Sequence, residues 1–478
     1  MRLIYATSCL VLLGGCSAFF DSGGLMGGAD SGSDTGTPMD SGMPTDTGPD
    51  ADAGTTDSGP PDGGMPLDRL CDAGTVSKGV DYRAGDYQTT ISTAITAAGS
   101  GGPTVFLGLL DRTAGPTLEP SRLADPTMTG DPVPLGADIL STFGAAPVPA
   151  LAFDMQRSTD PEELAFALVG SRTTTGSMGF SVGIRQAGGV LRGATIGGST
   201  PSASEGRGRV MVTGTGGVRG RQIWRDFPTT GTPFYGSLPV DETSAGYEMR
   251  DTPGLVDDDV WGVGTSDRLA LISSGRTDPF SLWTGGVATV QNIEGAFPTD
   301  PYQTHLTYLG GDRYVITSVD ESNAAVSHHQ LIDCTFTCPT DGECTAFNCR
   351  TDGHEVIDLT LPGASPDSAL ISAEHIPGIG AAIVVARIYA TGEHQLILSF
   401  RDREFMPARD ASGAVLEPLV ISGESGASPK AIDVDAFVDR TATPPRVGIA
   451  IGVLGAVPAS ATLAPRLTVW SADLCPAP

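Results

Sequence analysis

From Cys71 onward, apolar residues alternate with polar or small ones in short runs, as in Leu164-Ala165-Phe166-Ala167-Leu168-Val169 and Arg209-Val210-Met211-Val212-Thr213. The same rhythm returns at Arg313-Tyr314-Val315-Ile316-Thr317 and Gln395-Leu396-Ile397-Leu398-Ser399-Phe400. Gly, Asp, Pro or Ser bounds each run, which predicts strands joined by tight turns. No stretch sustains a 3.6-residue apolar period over three capped turns, so long helices are not expected.

The runs group into units: an alternating strand, a more apolar strand, then a strand ending in a polar turn. One unit reads Ala369 to Ser372, Ala381 to Ala386 and His394 to Asp402. Unit starts fall near Tyr87, Ala150, Arg209, Val260, His305, Ala369 and Ala431, spaced 45 to 64 residues apart. This rhythm predicts an all-β, seven-bladed β-propeller-like domain over residues 71–478, with small antiparallel sheets around an axis. Tandem β-sandwiches are the alternative. No blade signature names a family.

Composition agrees. Glycine (64 residues) and proline (36) fill about a fifth of the 478-residue chain, against roughly 12% in ordinary proteins. The net charge of −28 excludes nucleic-acid binding and argues against adhesion to anionic lipid by charge. Only Lys78 and Lys430 are lysines.

The amino terminus departs from the β pattern. Arg2 precedes an apolar stretch, Leu3 to Leu13, too short to span a bilayer. It ends in Leu13-Gly14-Gly15-Cys16. This segment resembles the signal and lipobox of bacterial lipoproteins. The resemblance implies removal of residues 1–15, diacylglycerol on the Cys16 thiol and acylation of the new amino group. Several acyl chains anchor firmly where one is marginal. Ser17, in place of the Asp that retains lipoproteins in the inner membrane, points to the outer membrane, on its periplasmic side or at the cell surface.

Residues 16–70 read as a disordered acidic tether. Residues 21–68 hold ten Asp and no Lys, Arg or Glu. They have too little apolar surface to offset the entropy of ordering. Calcium ligation is the competing reading, but the Glu and flanking helices of an EF-hand are missing.

Cys9 leaves with the signal and Cys16 takes lipid, which leaves six cysteines in a disulfide-permitting compartment. A bond between Cys71 and Cys475 would latch a ring. Cys334, Cys338, Cys344 and Cys349, in a loop at 333–350, form two local disulfides with three pairings open. Zinc at these cysteines ranks behind, for want of a C-x2-C knuckle.

No catalytic motif assembles. Gly179-Phe180-Ser181-Val182-Gly183 matches the hydrolase G-x-S-x-G string but alternates like a plain strand. Gly214-Thr215-Gly216-Gly217 is a turn. The six histidines, His305, His328, His329, His354, His375 and His394, show no metal-binding spacing and are expected on the surface. Asp257-Asp258-Asp259, and Asp433 and Asp435 on an alternating strand, could hold Ca2+ or do acid/base work, but in so acidic a chain such runs are expected to be solvated. Arg219, Arg221, Trp224 and Arg225, with Arg207 and Arg209, concentrate positive charge that could take an anionic glycan or peptide. No metal or cofactor is expected. The expected protein is a membrane-anchored monomeric envelope lipoprotein, a non-catalytic binding or scaffold module for an envelope protein or glycan. An exported glycan or ester hydrolase is the rival. Carboxylates converging with Arg or His at the ring centre would favour the hydrolase.

Overall fold

A computed structural model describes most of the chain between Arg69 and Cys475. Residues 1–68 and 476–478, Lys78 and several connecting segments lie outside the described residues, and with them Cys16, the signal and the tether. Asp257-Asp258-Asp259 and Gly214-Thr215-Gly216-Gly217 also fall outside.

The described chain is all-β apart from one helix, Leu135–Phe143, which buries Leu135 and Ile139 one turn apart. The strands form seven antiparallel sheets, taken in chain order. Their first strands are Tyr87–Thr96, Ala150–Arg157, Ala203–Val212, Val260–Thr265, Pro301–Gly310, Ser368–Ile376 and Ser428–Asp439. Consecutive strands pair by hairpins within each sheet. Each first strand lies beside the first strand of the next sheet, and that of sheet seven lies beside that of sheet one. Meander sheets whose first strands follow one another in a closed circuit are a propeller arrangement.

Side-chain packing is described most fully across sheets one, two, five, six and seven. The apolar middle strands explain it. Gly380–Ile388 of sheet six is buried along its whole length, and Arg446–Ala456 of sheet seven is buried at all but its ends. One face of each meets the sheet before and the other the sheet after, so neither face needs polar residues. Between sheets six and seven, Ile376, Val384, Leu398, Ile449 and Trp470 share one core. Glycine sets the approach between sheets seven and one: a Cβ on Gly452 would stand 2.6 Å from Leu107 and from Thr93 Oγ1.

Sheet seven is completed by the amino terminus. Strands Arg69–Leu70, Thr75–Val76 and Val80–Asp81 run antiparallel along Leu463–Cys475, pairing Arg69 with Cys475, Val76 with Trp470 and Val80 with Leu467. Among the described residues, Arg69 and Leu70, ahead of Cys71, already pair with the last strand. Cys71 and Cys475 are disulfide-bonded across this seam. Trp470, fully buried, donates from Nε1 to Ala73 O at 3.1 Å. Gly74 sits at φ 68° with the indole 2.5 Å from where a Cβ would be, so both conformation and space require glycine there.

The cysteine cluster sits on a hairpin rather than in a loop. Cys334 and Cys349 face each other on strands Val326–Thr337 and Ala346–Asp358 and are bonded, and Cys338 bonds to Cys344 nearer the tip. That selects the nested pairing and leaves no thiolate for zinc.

Opening the Cys71–Cys475 bond by replacing both residues with alanine should cost roughly 5–6 kcal/mol in the chain-entropy model, since it closes 404 residues. Equilibrium denaturation of the double variant measures it. Gly74→Ala should lower the midpoint in the same assay with the disulfide intact.

Candidate functional site

The first strand of each sheet pairs on one side only, so its other edge presents unpaired N–H and C=O groups. At three junctions, between sheets one and two, five and six, and seven and one, a polar residue from one strand reaches the backbone of the next. Between sheets one and two, Ser92 Oγ accepts from Met155 N at 3.0 Å and lies 3.4 Å from the Asp154 carboxylate. Between five and six, Thr307 Oγ1 donates to Ala373 O at 3.1 Å. Between seven and one, Asp433 Oδ2 accepts from Thr93 N at 2.6 Å and Asp435 Oδ2 from Ile95 N at 2.5 Å. Alternation explains the last pair: residues two apart on one strand meet amides two apart on its neighbour.

Ser372 Oγ, on the first strand of sheet six, donates to Asp433 Oδ1 at 3.5 Å. Two residues along, half-buried Glu374 joins the same group of acids. Burial, then the nearby Asp435 and Asp433, push its carboxyl well above the usual range, with Arg157 opposing. Burial also raises Asp435 to about 6, against the pull of Arg157 and of the Ile95 and Ala436 amides. Arg157, from the end of sheet two's first strand, sits 5.1 Å above the Phe437 ring.

Carboxylates therefore do converge with an arginine on the inner strands, and Asp433 and Asp435 are not solvated turn residues. Their oxygens are engaged, however: Asp433 by Thr93 N and Ser372 Oγ, Asp435 by Ile95 N and Ala436 N. Acids so held brace the seam between sheets seven and one. No group of three or more His, Cys, Asp or Glu is placed to hold a metal among the described residues.

The histidines are not all on the surface. His329 is 1% exposed and His394 is 7% exposed. Ser327 Oγ lies 2.7 Å from His329 Nε2, the spacing of a nucleophile and its base. Both are buried, and burial, then Arg401, then His328 and His354, hold the imidazole down at about 3, too low for a base at neutral pH. Glu355, opposite His329 in register, is paired with Arg401 at 3.2 Å instead. Ser181 lies within strand Met178–Arg185, paired on both sides, so the G-x-S-x-G string makes no nucleophile elbow. Arg219, Arg221, Trp224 and Arg225 share strand Val218–Asp226, with Arg209 opposite Arg221; their side chains lie outside the described residues.

The inner-strand acids and Ser92 were not legible as a group, because they come from three different units: Ser92 from the first, Glu374 from the sixth, and Asp433 and Asp435 from the seventh. The signal available was weak: polar residues recurring on strands that otherwise alternate cleanly.

No family model and no curated protein matches the chain. Among solved structures it is similar to the Dos1 propeller, at 10% identity over 84% of this chain and 97% of that one, with a TM-score of 0.40. A Hadza microbial sialidase is similar at 9% identity over 81% of this chain and 65% of that one, TM-score 0.39. A mutant of the lectin from Aleuria aurantia, solved with alpha-methyl-L-fucoside, is similar at 11% identity over 70% and 97%, TM-score 0.37. The propeller assignment stands on the sheet order and the circuit of first strands.

Asp435→Ala should destabilise by about 1–3 kcal/mol, since it strands the buried Ile95 amide. The pH dependence has a defined sign. Unfolded Asp titrates near about 3.9, folded Asp435 near about 6. Between these values the folded chain holds a proton that the unfolded chain has lost. Stability from this group is full below the lower value and lost as pH rises through the upper one, and raised Glu374 acts in the same sense. Glu374→Gln should therefore raise the melting temperature at pH 8 and change it little at pH 4.

Proposed function

We infer that the chain is an envelope lipoprotein, exported across a bacterial inner membrane and held at the outer membrane by acyl chains on Cys16. Its domain, read as seven blades, is a non-catalytic, monomeric platform that binds or scaffolds an envelope protein or glycan. One observation carries the non-catalytic reading: Asp433 and Asp435, two of the three acids gathered on the inner strands, each spend a carboxylate oxygen on an amide of the neighbouring strand. A closed, latched ring holds its surface loops rigidly, as recognition requires. The disulfides suit an exported domain. Lipid rather than charge is the fitting anchor for a chain of net charge −28.

The rival hydrolase reading has one observation in its favour, Glu374 with its carboxyl raised beside Arg157, the environment of a general acid. Panels of ester and glycoside substrates separate the two. The platform reading expects no turnover above background; turnover abolished by Glu374→Gln would establish the hydrolase. For the anchor, mass spectrometry should find a mature chain that starts at Cys16 and carries fatty acid. Cys16→Ala should move the protein from the membrane fraction to the soluble one. A mature terminus beyond Cys16 without acyl chains would overturn it.

A further inference from the structure

We propose that His328 and His354 form a binding site for a divalent transition-metal ion of the zinc and copper class. The two lie on neighbouring antiparallel strands of sheet five, where His354 stands opposite Gln330, two residues along the strand from His328. His328 Nδ1 and His354 Nε2 are 3.4 Å apart, and the ring centroids are 5.5 Å apart. Two imidazole nitrogens about 2.0–2.1 Å from one tetrahedral ion stand about 3.3–3.4 Å from each other. The pair therefore already has the separation of two ligands on a common ion, which would take the place of the direct contact between the two ring nitrogens.

The support is rigid. The same two strands are joined by Cys334–Cys349, and their turn by Cys338–Cys344. The Gln330 side-chain amide donates to Gly353 O beside His354. Ligands held in place before binding lose little freedom on binding. His354 is exposed, which leaves room for water to complete the coordination shell. Nearby charge does not oppose a cation strongly. Arg401 is paired with Glu355, and Arg313 is paired with Asp333 and Asp352. Imidazole selects zinc, copper or nickel over calcium or magnesium. This inference is independent of the anchoring and platform reading.

Isothermal titration of the full mature protein with Zn2+ alone, and electron paramagnetic resonance with Cu2+, test it. One equivalent should bind, and the copper spectrum should show nitrogen ligation by two imidazoles. His354→Ala, at an exposed position, should weaken binding at least tenfold, and His354→Gln should do the same. His375→Gln should bind like the unaltered protein. Binding should weaken in acid, where protons compete with the ion for the imidazole nitrogens. Absence of one-equivalent binding, or equal affinity in the His354 variants, would overturn the proposal and leave the pair a hydrogen-bonded one.

Discussion

Everything in this fold depends on closing a ring whose first and last sheets lie hundreds of residues apart in the chain. A meander sheet buries its middle strands only when another sheet covers each face, so the set is stable only as a circuit. The chain meets this by lending its amino-terminal strands to the last sheet. Arg69 to Asp81 pair along Leu463–Cys475, Trp470 fills the space beneath, and Cys71 bonds to Cys475. Sequence separation makes the seam costly to form by loop-closure entropy. The same separation makes the covalent latch strongly stabilising once formed.

Closure leaves a second demand at the inner strands, whose free edges carry backbone donors and acceptors. The chain answers with short polar side chains and carboxylates. Ser92, Thr307, Asp433 and Asp435 each reach across to a neighbouring strand. This solution draws three acids, Glu374, Asp433 and Asp435, into one neighbourhood with Arg157 as the counter-charge. A grouping that resembles catalytic equipment thus has a structural cause, and the hydrogen-bond partners of the oxygens reveal it.

The candidate site was poorly legible for the same reason. Asp433 and Asp435 read as exposed carboxylates because acidic residues in an acidic chain usually are. Their partners, Thr93 and Ile95, are 340 residues away. His328 and His354 showed no ligand spacing because 26 residues separate them, and only strand pairing brings their nitrogens together. One signal is local. Asp111-Arg112-Thr113-Ala114 and Asp439-Arg440-Thr441-Ala442 are identical strings. In both, the carboxylate accepts from the Thr amide, the Thr hydroxyl and the Ala amide at a hairpin turn.

Local pattern by itself determined the strands, their turns and the apolar middle strands. The unit starts read at Tyr87, Ala150 and Val260 are the first residues of their sheets. These features arise from side-chain alternation and turn chemistry within a few residues, which a linear reading can capture. Cysteine positions also singled out Cys71 and Cys475 as candidates for a latch. Tertiary structure alone decided which cysteines of the hairpin pair, which histidines are buried and where the inner acids place their oxygens. Those outcomes depend on which strands lie side by side, and that is settled only when distant segments meet in the closed ring.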